Sequence, residues 1–120
     1  MSEVMIVTGG GRGIGAATAL LAARRGYAVV VNYLRDEATA TALVERISPA
    51  EPCLTAADET LTMLPPRPPC LVDMRRSASR PVVPMQRPGR AEEVANAILW
   101  LCSAEASYCT GSILEVTGGR

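Results

Sequence analysis

The 120-residue chain contains no lysine, no histidine and no phenylalanine. Without histidine, no side chain titrates near neutrality in its ordinary state, so imidazole acid–base catalysis is excluded. Without lysine there is no Schiff base and no ammonium group to tune a neighbouring hydroxyl. All 12 basic residues are arginine, which stays protonated at any working pH and shuttles no protons. One Trp and three Tyr are the only aromatics, so the core must come from Val, Leu, Ile, Met and Ala.

Net charge is absent too, with 12 acidic residues against 12 basic ones. No basic stripe marks a nucleic-acid surface. No apolar run approaches the roughly 20 residues that span a bilayer. Gly9 to Gly15 interrupt any signal-peptide pattern, so the expectation is a cytoplasmic chain with no nucleic-acid or membrane partner. Cys53, Cys70, Cys102 and Cys109 form no C-x-x-C pair, and a zinc site would need all four or carboxylate help. Free, buried thiols and no metal are expected. The length allows one small domain.

What is present is concentrated at the two ends. Val4, Met5, Ile6 and Val7 read as a short buried parallel strand. Five glycines follow within seven positions, at Gly9, Gly10, Gly11, Gly13 and Gly15. Ile14, Ala17 and Leu21 then recur at helical spacing. A glycine-rich turn between strand and helix lets backbone approach a ligand, and unpaired N–H groups at the helix start favour an anion. A pyrophosphate is the natural guest. Residues 28–33 read as a second strand and 36–47 as a helix, with Ala40, Leu43, Val44 and Ile47 on one face. A third strand is expected at 54–57. This order of elements implies parallel βαβ units in an α/β fold.

All nine prolines lie between Ser48 and Pro88, and Pro65-Pro66-Arg67-Pro68-Pro69 suits neither helix interior nor central strand. An irregular Pro- and Arg-rich connector is expected at 48–81, with a polyproline recognition segment as the alternative. Regular order returns at 92–101, a helix with Val94, Ala97, Ile98 and Leu101 facing one way and Trp100 beside them. Residues 112–116 read as a final strand, closed by Gly118 and Gly119. The single domain thus divides into a βαβα nucleotide-binding half at 1–47, the connector, and a C-terminal helix and strand at 82–120.

Gly11, Gly13 and Ala16 satisfy the loose G-x-G-x-x-G/A pattern of dinucleotide-binding turns. Thr8 to Gly15 fits more closely the T-G-x-x-x-G-x-G spacing, which resembles the short-chain dehydrogenase/reductase family. Pro84 to Ala95, Trp100 to Ser103 and Ser107 to Gly111 look like the family's approach to its last long helix and final strand. The chain is most similar to bacterial sugar dehydrogenases and 3-oxoacyl-carrier-protein reductases. The resemblance implies a Rossmann-like doubly wound parallel sheet, here reduced to about three or four strands.

It also implies an NADP or NAD cofactor, bound through Gly9, Gly11, Arg12, Gly13, Ile14 and Gly15. NAD-preferring relatives place a carboxylate at the end of the second strand. Asn32 and Tyr33 stand there in this chain, and Arg12 lies inside the turn, so NADP is expected to be favoured, with weak or partial binding. Asp58 is expected to contact the adenine if residues 54–57 form a strand. Arg35 lies close behind the second strand.

The family's Asn-Asn-Ala-Gly segment, catalytic Ser and Tyr-x-x-x-Lys pair have no counterpart here. Tyr27, Tyr33 and Tyr108 are each explained by their own neighbourhoods, and no catalytic residue is assigned. The chain resembles a family member shortened internally, between Ser48 and Arg80. An oxidoreductase relative that does not turn over substrate alone is the first expectation. A non-catalytic subunit, pairing with a full-length relative or a second copy through the C-terminal helix and strand, is the alternative. Residues 112–116 are expected to pair with the open edge of the first strand.

Overall fold

The computed structural model describes residues 3–33, 36–47, 53–57 and 83–119. In chain order these form β1 (Val4–Thr8), α1 (Gly13–Arg24), β2 (Ala28–Tyr33), α2 (Glu37–Ile47), β3 (Cys53–Ala57) and α3 (Ala91–Leu101), then a single 3-10 turn at Ala104–Ala106. The three strands lie side by side in the order β1-β2-β3 as a parallel sheet. Ile6 stands opposite Val30, and Val30 opposite Leu54. The strand expected at 54–57 is present and starts one residue earlier. The strand count falls at the lower end of the expected range.

Alternation along each strand sends Met5 and Val7 of β1, and Val29 and Val31 of β2, to one face of the sheet. α1 packs there against β1 and β2, and α2 against β2 and β3. α2 presents the expected face, with Ala40, Leu43 and Ile47 buried and Val44 packed beside them. α1 is buried more broadly, at Ala17, Thr18, Ala19, Ala22 and Ala23, because the sheet lies along one flank and α3 along another. Its small side chains allow that close double approach. Thr18 is tolerated because its hydroxyl donates to the Ile14 carbonyl at 2.8 Å. Ile14, expected on the buried stripe, is exposed at the helix mouth.

α3 is set one position round from its expected face. Ala95 and Leu99 are buried, whereas Leu101 is exposed and Val94 and Ile98 only half-buried. The pattern of apolar residues is wide enough to admit either choice, and packing on α1 selects the narrower Ala95 contact. Leu99 joins the core cluster with Ala19, Ala22 and Ala23. At one end the Arg25 guanidinium donates to Asn96 Oδ1 at 3.3 Å, tying α1 to α3.

The opposite face of the sheet is uncovered among the described residues. Val4 and Ile6 are 66% and 68% exposed there. The final strand expected at 112–116 does not form: those residues are irregular and exposed, and they pair with no edge of the sheet. The tail is held elsewhere. The Met85 N–H donates to the Gly118 carbonyl at 3.2 Å, and a Cβ on Gly118 would meet Val83 Cγ1 at 2.7 Å. Strand propensity at 112–116 is therefore overridden by an anchor outside the sheet. Cys102 and Cys109 are free, as expected, but exposed. Cys102 caps the end of α3, and Cys109 lies in the irregular segment after the 3-10 turn. Most of the connector at 48–81 lies outside the described residues.

Candidate functional site

The glycine turn leads from β1 into α1 at the end of the sheet where β2 finishes. Gly9 and Gly13 have φ of +64° and +59°, conformations that disfavour any side chain bearing a Cβ. A Cβ on either would meet nothing within 4 Å, so the space before the turn is open. Gly15 is different, since a Cβ there would lie 2.5 Å from the Gly9 carbonyl oxygen. The helix can begin under the turn only because that position is bare. On the β2 side the Gly10 N–H donates to the Asn32 carbonyl at 3.1 Å. Gly10 was missed as a site residue, because its part is to fasten the turn to β2.

The three described helix starts are unlike one another electrostatically. At α2, Asp36 Oδ1 accepts the Thr39 N–H at 3.2 Å and Glu37 occupies the first turn. At α3, Glu93 Oε2 accepts the Arg90 N–H at 2.7 Å, and Glu92 stands beside it. α2 is thus capped by Asp36, and the start of α3, which also follows an arginine without a side-chain cap, carries two carboxylates of its own. At α1 the residue before the helix is Arg12, whose side chain can accept no hydrogen bond, and the first turn has no acidic residue. The first helical bond runs from the Ala16 N–H to the Arg12 carbonyl at 3.3 Å. The N–H groups of Gly13, Ile14 and Gly15 therefore point out of an uncapped, positive helix end. Arg12 is exposed and adds to that potential.

Gly9, Gly11, Arg12, Gly13, Ile14 and Gly15 are brought together as one turn, with Asn32 bonded to it. Tyr33 ends β2, half-buried against the core. Asp58 and Arg35 lie outside the described residues. No group of three or more His, Cys, Asp or Glu residues suited to a metal ion occurs among the described residues. No described helix is long and apolar enough to cross a membrane.

Of the tyrosines, Tyr27 has its hydroxyl raised above its ordinary value, first by partial burial and then by the Glu3 carboxylate. That direction is opposite to what a tyrosine general base needs. Tyr108 is fully exposed. At α3, Arg87 makes a two-pronged ion pair with Glu93, one arm at 2.8 Å. This pair, with the Arg90 N–H, holds the Glu93 carboxyl down at about 2.

A family model described as short chain dehydrogenase matches residues 3–61. A second, described as Enoyl-(Acyl carrier protein) reductase, matches residues 72–120. The chain belongs to the short-chain dehydrogenase/reductase family. Among individual relatives of this family, the uncharacterized oxidoreductase YgfF of Escherichia coli is 60% identical over 38 residues, 32% of this chain and 15% of that protein. The 3-oxoacyl-[acyl-carrier-protein] reductase of Escherichia coli is 47% identical over 49 residues, 41% of this chain and 20% of that one.

The chain thus spans only a small part of the curated relatives it matches. In structure it is similar to acetoin dehydrogenase YohF from Salmonella typhimurium, with a TM-score of 0.79 at 19% identity. That superposition covers 99% of this chain and 97% of the other. YwfH, an NADPH dependent reductase of bacilysin biosynthesis, also gives a TM-score of 0.79, at 17% identity. These neighbours share the fold of the short-chain dehydrogenases and reductases, the Rossmann-like parallel sheet expected from the sequence.

Proposed function

We propose that the chain binds the adenosine diphosphate half of a nicotinamide dinucleotide, NADP in preference to NAD, and does not itself transfer hydride. The observation that carries this reading is the start of α1, which has neither a side-chain cap nor an acidic residue, beside α2 capped by Asp36 and α3 with Glu92 and Glu93 in its first turn. A pyrophosphate supplies the acceptors that Arg12 cannot. Gly9 and Gly13 leave the space before the turn open to it, while the bare Gly15 lets α1 begin under the turn.

The preference for a 2′-phosphate rests on charge. Asn32 and Tyr33 close β2 without a carboxylate, and the next acid, Asp36, is engaged by the Thr39 N–H. Arg12 supplies a nearby cation, and a charge-assisted contact contributes about 1.5–3 kcal/mol, roughly tenfold or more in affinity. Arg35 and Asp58 are assigned to the same site, at the 2′-phosphate and the adenine. Lack of turnover rests on composition: the chain has no lysine or histidine to bring a tyrosine pKa towards neutrality, and at Tyr27 burial and Glu3 outweigh Arg25.

The deciding experiment is calorimetric titration with 2′-phospho-ADP-ribose and with ADP-ribose. Tighter binding of the first, reduced by Arg12→Ala, is expected. Equal binding of the two, or a preference untouched by Arg12→Ala, overturns the NADP assignment. Failure to bind either overturns the cofactor reading and leaves the fold intact.

A second reading is favoured by the tail, where Ile113, Leu114 and Val116 are all exposed. On it, the chain is a non-catalytic subunit that pairs through α3 and the tail with a full-length relative or a second copy. Sedimentation of the chain alone and with such a relative separates the two partners.

A further inference from the structure

Gly11 is the glycine of the turn whose missing side chain is explained by α2. A Cβ at Gly11 would lie 2.9 Å from Thr39 Oγ1 and 3.7 Å from the Ala40 nitrogen. Thr39 sits in the first turn of α2 and is fixed at two points. Its N–H donates to Asp36 Oδ1 at 3.2 Å, and its hydroxyl donates to the Asp36 carbonyl at 3.1 Å. The next residue, Ala40, is fully buried in the core, so this turn of helix has no freedom to drift. The other side of the glycine turn is equally confined. The Gly10 N–H is bonded to the Asn32 carbonyl, and a Cβ on Gly10 would meet Val31 Cγ1 at 2.8 Å.

Gly10 and Gly11 are therefore held between the end of β2 and the start of α2. We infer that Thr39 is a positioning residue for the phosphate-facing turn. Pinned by Asp36, it bears on Gly11 and thereby sets where Arg12 and the N–H groups of Gly13, Ile14 and Gly15 stand. This rests on the reading of that turn as a dinucleotide cradle. Thr39 is given no contact with the ligand, because its hydroxyl hydrogen is committed to the Asp36 carbonyl. Its work is steric, and a β-branched side chain held in place by the Asp36 carbonyl suits it. The surface it offers to Gly11 would be kept by valine and lost with alanine.

Three variants and two ligands test the assignment. Thr39→Ala should weaken 2′-phospho-ADP-ribose and ADP-ribose by one common factor, about three- to tenfold, as for one misaligned hydrogen bond. Both ligands share the pyrophosphate, so their ratio should stay constant. Thr39→Val should bind both like the parent chain. Equal losses in Thr39→Val and Thr39→Ala would mean that the hydroxyl itself touches the ligand, and a change in the ratio alone would assign Thr39 to the 2′-phosphate. Either result overturns the proposal.

A ligand-free arm stands apart from the cofactor reading. Gly11→Ala should lower Tm, and Gly11→Ala/Thr39→Ala together should lose less than the sum of the two single losses, because the added methyl then has room. Strictly additive losses overturn the inference, even if the parent chain binds neither nucleotide and the cofactor reading has already failed.

Discussion

The carbonyl oxygen of Gly9 and the α-carbon of Gly15 approach so closely that a side chain on Gly15 would begin 2.5 Å from that oxygen. The contact is between two backbone segments, so neither can swing aside as a long side chain would. Gly15→Ala should therefore push the turn away from the start of α1. Expected losses are about 1–3 kcal/mol, the usual range for overpacking. Urea unfolding reads the loss, and an unchanged midpoint would show that the turn is looser than this contact requires.

The join between α1 and α3 depends on very few large side chains. Leu99 is almost wholly buried among alanines, whereas Leu101, two residues on, is largely exposed. Leu99→Ala should cost about 2–5 kcal/mol, the range for a buried leucine. A domain of this size holds only several kcal/mol in total, so the variant should be substantially unfolded at room temperature. Leu101→Ala should leave the far-ultraviolet dichroism and the melting curve nearly unchanged. Similar effects from the two would contradict the packing face of α3.

Acid removes a contribution to stability at Glu93. Its carboxyl is held at about 2 chiefly by Arg87 and next by the Arg90 N–H, against an ordinary value of 4.5. A depressed acid stabilises the folded state above its unfolded pKa, and that contribution disappears as pH falls from 4.5 towards about 2. Carboxyl NMR should show Glu93 titrating well below the other acids. Arg87→Ala should bring it back up, leaving the smaller depression due to the Arg90 N–H. A normal Glu93 titration in the parent chain would show that the ion pair does not persist in solution.

No oxidation or reduction of nicotinamide cofactors is expected with sugars, 3-oxoacyl thioesters or simple ketones. The three tyrosines are a half-buried residue beside Glu3, a strand end packed on the core, and a fully exposed loop position. Tyr27 has Glu3 acting against Arg25, and none of the three has a lysine to make it a base. Turnover that copurifies with the chain and vanishes on Tyr33→Phe or Tyr108→Phe would defeat this.

What could be read from the sequence was local. β1, β2 and α2 each announce themselves through a run or a face within a dozen residues, and the glycine spacing marks the turn. The part of Thr39 was hidden because it depends on α2 lying against Gly11, a contact between residues 28 positions apart. Residues 112–116 have the composition of a strand, yet a strand needs an edge to pair with, and the latch between Gly118 and Met85 holds the tail elsewhere. The buried face of α3 was misjudged by one position because alanine marks a helix contact less visibly than leucine. Cys102 was misjudged because a helix end exposes what the middle of the same helix would bury.

The side of the sheet left uncovered among the described residues governs how the protein behaves in a test tube. Parallel sheets are ordinarily covered on both faces, and here Val4 and Ile6 meet water on a molecule whose charges cancel near neutrality. Colloidal repulsion is weakest where net charge vanishes, and the isoelectric point of 6.3 lies close to common buffers. Solubility should therefore pass through a minimum there and fall further in sulfate, which strengthens apolar association. Moving to more alkaline buffer adds negative charge without touching the fold. Ile6→Glu would act in the same direction by placing an anion on the wetted face, and should raise the concentration at which the solution clouds.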